Sequence, residues 1–452
     1  MFILIGQLPK IKNMKKSSVV SRDILLPFIL ITSLFALWGF ANAVTDPMVT
    51  AFKKVLELNN FQASLVQLAF YGGYFTMALP AALFIRKYSY KTGIVIGLVL
   101  YATGALLFYP AAVTQQFGFF LTGLYILTFG LAFLETTANP YILSMGDRST
   151  ATQRLNLAQS FNPVGLLGGL LVAQQFVLKK LQSDDVDFAS LSETAKATIT
   201  QADLLVIRNP YVILGLAVIA VLVLIIISKM PESKDSHSSM STWSIIKSLV
   251  KKAKYSEGVI AQMTYVGAQI MCWTYIYQYA EALGINAQTA GSYQFIAFVV
   301  FFLGRFVCTF LLKYINSGKL LMLLSALAII CTLCTIMIEG VWGLYALVAI
   351  SFCMSLMFPT IYGIALDGLS EDESKIGAAG LVMAIVGGAL MPTLQGMILD
   401  IGGTGYSDTR IMGLTEVNFS FVLPLACFVV IALYGCKFYS NKYEHNEILP
   451  DS

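Results

Sequence analysis

The sequence predicts an all-α integral membrane protein, with twelve transmembrane helices in two six-helix halves. Three observations carry that expectation. Of 452 residues, 57% are hydrophobic and 12% charged, where a soluble domain carries roughly 25% charged residues. Apolar runs of about 20 residues, long enough to cross a bilayer as a helix, recur along the chain. A weak internal repeat pairs the halves: Pro140 precedes Gly168–Gly169 by 28 residues, and Pro359 precedes Gly387–Gly388 by the same 28.

The runs fall at 24–48, 63–85, 92–113, 118–145, 155–178, 209–229, 256–280, 289–312, 319–338, 340–366, 376–400 and 418–438. Lipid offers backbone polar groups no partners, so each run reads as a helix. Residues 1–23 begin MFILIGQLPKIKNMKK, too briefly apolar for a signal segment, and read as a cytoplasmic tail. Residues 24–229 then form an N-terminal six-helix domain, 230–255 a linker, 256–438 a C-terminal six-helix domain and 439–452 a second tail. The linker ends in WSIIKSLVKKAK. This stretch either lies as an amphipathic helix on the anionic leaflet or serves as a tether with a solvated charged face.

Orientation follows from the basic residues. With both termini inside, 21 of the 29 Lys and Arg fall on the inner side, seven outside, and Arg305 within a span. That bias predicts a multi-pass protein of the cell inner (plasma) membrane with N- and C-termini in the cytoplasm.

Composition also excludes several classes. The only histidines, His237 and His445, lie in polar segments, which leaves no multi-histidine metal or haem site within the bilayer. Seven cysteines lie in or beside apolar runs of the second half, as packing residues rather than a disulfide framework. Cys331 and Cys334 form a CxxC without further ligands. There is no phosphate loop, nucleophile elbow, zinc spacing or nucleic-acid-binding stripe. GGTG at 402–405 reads as a loop, and the sequon Asn418-Phe-Ser abuts a span and reads as unused. Neither an enzyme, a cofactor nor a nucleic-acid partner is expected.

What remains is polar chemistry inside the spans. Ionisable groups there are costly and mark ion or substrate pathways; the deep ones are Asp46, Glu135 and Arg305. In span 1, Trp38, Asn42 and Asp46 at i, i+4 and i+8 share one helix stripe. An aromatic platform with an amide and a carboxylate suits a sugar, though Asp46 can equally cap a broken helix before Pro47. Span 4 places Glu135 and Asn139 one turn apart before Pro140, where a helix that bends can line a cavity. Span 5 offers Asn156, Gln159 and Asn162 on one face, as ligands for hydroxyls or as glue between helices. Span 7 repeats the pattern with Tyr265, Gln269, Trp273 and Tyr277, as a second cavity wall or as packing. Gln294 in span 8 joins the candidate site. Arg305 either snorkels inward or pairs with an acid of the loop DGLSEDES, and is assigned a conformational role. At the repeat offset of 219, Glu135 aligns with Met354 and Asp46 with Tyr265, so the acids belong to the first half alone.

The stretches LWGFANAVTDP, NNFQASLVQLAFYGGYF, YSYKTGIVIGLVLYATGALLFYPAA, LETTANPYI, RLNLAQSFNPVG and YVGAQIMCWTY resemble the fucose permease (L-fucose:proton symporter) family of the major facilitator superfamily. The resemblance runs from about residue 24 to 440. It implies the major facilitator fold and symport of a sugar, L-fucose first, with protons by alternating access. It also implies that Glu135 exchanges the coupling proton and that Asp46 links sugar recognition to protonation. Family relatives that carry glucose, galactose or N-acetylhexosamines tend to have glutamine in place of Glu135. Phe358 and Pro163 depart from the tyrosine and serine usual in the fucose branch, and bear on which sugar fits.

On this reading Glu135 is neutral while the site is occluded, the sugar bridges the halves, and water entering from inside releases first the proton and then the sugar. The expected partners are the sugar, protons and the bilayer, with H+ as coupling ion and a monomer as the unit. Three rivals compete. One is a glucose/galactose or N-acetylhexosamine symporter. Another is an intramembrane enzyme acting on lipid-linked sugars, whose reactive groups would lie near the membrane surface. The third is a non-transporting sugar sensor.

Overall fold

A computed structural model describes residues 18–56, 58, 60–182, 191–231, 241–399, 401 and 409–447, without the side chains at 46, 47, 49–51, 53, 54, 60–64, 67, 178, 287, 288 and 440–447. The side chain of Asp46, the GGTG loop, both histidines, residues 1–17 and linker residues 232–240 therefore lie outside the described residues.

Every expected span is helical. Spans 1, 2, 4, 8 and 9 are single helices: Leu25–Val55, Asn60–Lys87, Phe117–Ser144, Ala287–Leu311 and Ser317–Met337. Span 6, Glu193–Ile227, starts 16 residues before its apolar run, because its first turns carry polar residues such as Lys196 and Arg208. Eleven helices among the described residues are long and apolar enough to cross a membrane. Span 7 falls short on composition alone: it is helical over Ala253–Thr274 and Ile276–Ala282, but Gln262, Gln269, Gln278 and its tyrosines dilute it.

Four spans break where proline dictates. A proline lacks the N–H that would bond the carbonyl four residues earlier. Span 3 breaks between Tyr90–Leu106 and Phe108–Thr114, before Pro110. Span 5 breaks between Ala151–Gln159 and Asn162–Val172, around Pro163. Span 10 breaks between Val341–Met354 and Met357–Leu366, around Pro359, and span 12 between Glu416–Ser420 and Val422–Glu447, before Pro424. Span 11 joins Glu371–Met383 to Gly387–Leu399 by one tighter turn, Ala384–Val386. Pro80, Pro140, Pro210 and Pro392 sit in helices that continue past them.

The two halves repeat one packing plan. Span 1 packs on span 5 as span 7 does on span 11, span 2 on span 4 as span 8 on span 10, and span 3 on span 6 as span 9 on span 12. Glycine permits the closest approaches. A Cβ at Gly165 would lie 1.7 Å from Ala36 O, and one at Gly387 2.2 Å from Met263 O.

The described contacts between halves concentrate at one end, here called the basic end, which carries residues 86–91, 148–154 and 367–375. There the first segment of span 11 packs on spans 2 and 4, and Ala151–Gln159 packs on Met357–Leu366. Arg86 Nε lies 3.5 Å from Asp372 Oδ2, and its Nη1 donates to Thr242 Oγ1 at 2.9 Å. The linker forms the helix Thr242–Lys251. Its Ile245 and Leu249 are buried against protein, while Trp243 and Val250 stay exposed. Glu373 accepts from Lys252 Nζ at 2.6 Å and from Ser248 Oγ at 3.1 Å, tying the end of the linker to span 11. Arg154, one residue before the apolar run 155–178, is fully buried. Its guanidinium donates to the carbonyls of Ile142, Leu143 and Asp147, and so caps the end of span 4.

Candidate functional site

Span 4 is packed on all sides: within 131–142 only Glu135 is not fully buried. Its Oε2 is buried with no hydrogen-bond partner. Among the described residues no cation pairs with it. A neighbour four residues on stiffens its surroundings: Asn139 Nδ2 donates to the Glu135 carbonyl at 3.0 Å. Asn139 Oδ1 accepts from Gln159 Nε2 at 2.8 Å. Arg305 Nη1 donates to Gln159 O at 3.2 Å and to its Oε1 at 3.4 Å. A polar chain thus runs from the acid-bearing helix, through span 5, to the arginine of the opposite half.

Arg305 neither snorkels nor meets the acidic loop. It is buried, with its guanidinium 4.8 Å from the Phe301 ring centroid. The loop acids are engaged elsewhere: Asp367 with Lys254, Glu371 with Lys375, Asp372 with Arg86 and Glu373 with Lys252. A basic end closed by these pairs leaves Arg305 to hydrogen-bond across the interface instead.

The three amides of span 5 do not share an open face. Asn156 Nδ2 donates to Thr360 Oγ1 of span 10 at 3.2 Å, and Asn162 Nδ2 to Phe35 O of span 1 at 3.2 Å. The proline break between Gln159 and Asn162 divides them between two segments. In span 1, Trp38 is buried, donates from Nε1 to Leu131 O at 3.3 Å and packs on Phe35 at 4.8 Å. It joins spans 1 and 4 and is no open platform. Asn42 is half-buried, and its Oδ1 has no partner. Asp46 lies on the same helix, beyond the described side chains.

The span 7 stripe also divides. Tyr265 is fully buried and donates to Met354 O at 3.1 Å. Trp273 donates to Ser351 Oγ at 3.2 Å and packs edge-on against Phe298 and Phe301 at 4.7 and 5.1 Å. Both aromatics therefore build the core of the second half, as packing of apolar rings favours. Gln269 and Tyr277 stay half-buried. Gln294 is half-buried too, with Nε2 donating to Trp273 O at 3.4 Å.

Two buried residues absent from the sequence reading lie in the neighbourhood of Glu135. Tyr74 of span 2 and Tyr362 of span 10 are buried and within electrostatic reach of its carboxyl. The signals were present as FYGGYF and MFPTIY, but nothing in either pattern says which tyrosine turns toward another helix. The sequon residue Asn418 is buried, its Nδ2 donating to Thr335 O at 2.8 Å and Tyr279 Oη at 3.1 Å, so its amide caps the end of span 9.

The unsatisfied Glu135 Oε2 and Asn42 Oδ1 both need hydrogen-bond donors, which a polyhydroxy ligand supplies. Residues 28–392 match the Major Facilitator Superfamily profile. The chain is 57% identical over 428 residues to the L-fucose-proton symporter of Haemophilus influenzae, a match covering 93% of this chain and 98% of that protein. It is 36% identical over 428 residues to the L-fucose-proton symporter of Escherichia coli, covering 93% and 94%. A crystal structure of the transporter FucP in the outward conformation superposes with a TM-score of 0.83 at 35% identity, covering 92% of this chain and 99% of that one. With its paired six-helix packing, the chain belongs to the fucose–proton symporter family of the major facilitator superfamily.

Proposed function

We propose that this protein carries L-fucose together with a proton across a bacterial inner membrane by alternating access, as a monomer and without a cofactor, with the basic end and both termini in the cytoplasm. The observation that carries this reading is Glu135: an acid on the tightly packed span 4, buried at one oxygen and, among the described residues, paired with no cation. The names of the relatives supply the sugar. The basic bias of the inner segments supports the orientation.

The geometry suggests the order of events. A charged carboxylate enclosed without a partner costs several kcal/mol. Closing the halves around Glu135 is therefore cheap only once it carries a proton. Asn139 and Gln159 hold the helix that bears it, and Arg305 ties that pair to the opposite half. The sugar hydroxyls are assigned to Asp46, Asn42, Gln269, Gln294 and Glu135, with Trp38, Tyr265 and Trp273 backing the walls from within the packing. Closure at the basic end supports reading the described conformation as one that precedes inward release.

The test is external alkalinisation in cells expressing the chain, on addition of L-fucose, galactose, glucose or N-acetylglucosamine. A transient with L-fucose is expected. A transient with a hexose and none with L-fucose would overturn the sugar assignment, and uptake without proton movement would overturn symport. Asp46→Ala is expected to abolish stabilisation by sugar in a thermal shift assay; an unchanged shift sinks its assigned role.

A further inference from the structure

The linker helix Thr242–Lys251 has two unlike stripes. One turns into the protein: Ile245 and Leu249 are buried, and Thr242, Ser248 and Lys252 make the bonds to Arg86 and Glu373. The other holds Trp243, Lys247, Val250 and Lys251, at i, i+4, i+7 and i+8, and all four are exposed. Nearby lysines of the basic end have acidic partners: Lys252 meets Glu373, Lys254 meets Asp367 and Lys437 meets Glu257. Lys247 and Lys251 have none among the described residues. The depth of the helix is set by its neighbours. Lys252 alone separates it from Ala253, the first residue of span 7. Leu83, three residues before Arg86, and Ile260, eight residues after Lys252, are exposed and apolar. Neither lines the cavity of about 450 Å³ that Thr152 and Glu371 help to enclose at the basic end, so both are side chains that hydrocarbon covers. At about 1.5 Å per residue they lie about 5–12 Å along their helices from the linker, and a headgroup layer is about 5–8 Å thick.

We propose that the stripe of Trp243, Lys247, Val250 and Lys251 docks on anionic phospholipid at the membrane surface of the basic end. The two ammonium groups meet lipid phosphates, and the indole and the valine enter the top of the acyl region. Tryptophan favours that boundary because its ring is apolar and its N–H is polar. Each lysine at an anionic leaflet gains about fivefold in affinity, so the pair gains about 25-fold. A zwitterionic lipid gives no such gain. A free phosphate ion meets the lysines and leaves the indole and valine in water. The opposite stripe is bonded to Arg86 of the first half and to Glu373 of the second. A docked linker helix therefore connects both halves to the leaflet at the end where they close.

The experiment uses the full chain in phosphatidylcholine vesicles doped with lipid brominated near the top of its acyl chains, since bromine quenches an indole that it touches. Trp342→Phe removes the other exposed indole, while Trp38 and Trp273 are buried. Brominated phosphatidylglycerol is expected to reach half-maximal quenching at an about 25-fold lower mole fraction than brominated phosphatidylcholine. Lys247→Gln combined with Lys251→Gln is expected to remove that preference, and Trp243→Phe to remove the quenching. Inorganic phosphate is expected to reduce the preference no more than chloride at equal ionic strength. An unquenched Trp243, equal quenching by the two lipids, a preference that survives the double lysine variant, or displacement specific to inorganic phosphate overturns the proposal. All four residues are exposed, so these variants leave the packed core intact. Neither sugar nor a pH gradient enters the measurement, and its result is separate from that of the L-fucose assay.

Discussion

The two halves share a packing plan and differ in chemistry. At the repeat offset, Glu135 corresponds to Met354, Asn139 to Phe358, Gln159 to Ala378 and Asp46 to Tyr265. The second half closes that space on itself: Tyr265 donates to the Met354 carbonyl, and Met354, Phe358 and Ala378 bring no polar atoms but their backbone. The first half has Glu135 in the corresponding place, with no cation paired to it among the described residues. Glycine-dependent helix contacts occur in both halves. Helix packing is thus common to the halves, while Glu135 stands in one and the other contributes Arg305 across the interface.

The contrast breaks most visibly at Glu135. Glu135→Gln is expected to eliminate accumulation of labelled L-fucose in vesicles with an imposed pH gradient, while exchange of sugar for sugar persists; accumulation surviving in the variant would remove the acid from coupling. Next in size is Gly165→Ala, where a Cβ would collide with Ala36 O. A loss of about 1–3 kcal/mol or more is expected from such overpacking, read as a lower melting temperature, with Gly387→Ala behaving alike in the second half. Gly118, with open space around it, is the control.

Arg305→Met tests the bridge between halves. Hydrogen bonds to a charged group contribute about 1.5–3 kcal/mol, so the basic end should open more often. A cysteine placed at Thr152, in the basic-end cavity, is then expected to react faster with a maleimide; an unchanged rate would show that Arg305 does not hold the halves together. The smallest effect belongs to Arg86 and Asp372. A double-mutant cycle on the same labelling rate is expected to give a coupling of about 0.5–1 kcal/mol, the low end for residues in contact, because Nε and Oδ2 stand 3.5 Å apart.

Much of the architecture was legible in the residues. Apolar length located the helices, and the prolines at 110, 163, 359 and 424 explain the breaks, since a missing N–H acts locally. Glu135 and Arg305 stood out because charge in an apolar run is rare. The stripes of spans 1, 5 and 7 were less legible. Spacing placed Trp38 with Asn42, and Tyr265 with Gln269 and Trp273, on common faces, yet each aromatic turned into packing while the amides stayed half-buried. A stripe does not say which neighbour will cover it.

The sequence by itself determined the twelve apolar spans as helices and the presence of acids deep within them, Glu135 of span 4 among them. These follow from backbone hydrogen bonding and the cost of charge in lipid, both of which act within a few residues. Only the tertiary structure decided that Arg305 binds Gln159 rather than an acid, and that Arg154 caps span 4. These contacts join residues 146 and 12 positions apart. Whether such groups meet depends on how the halves close, a property of the whole assembly of helices and of no single segment.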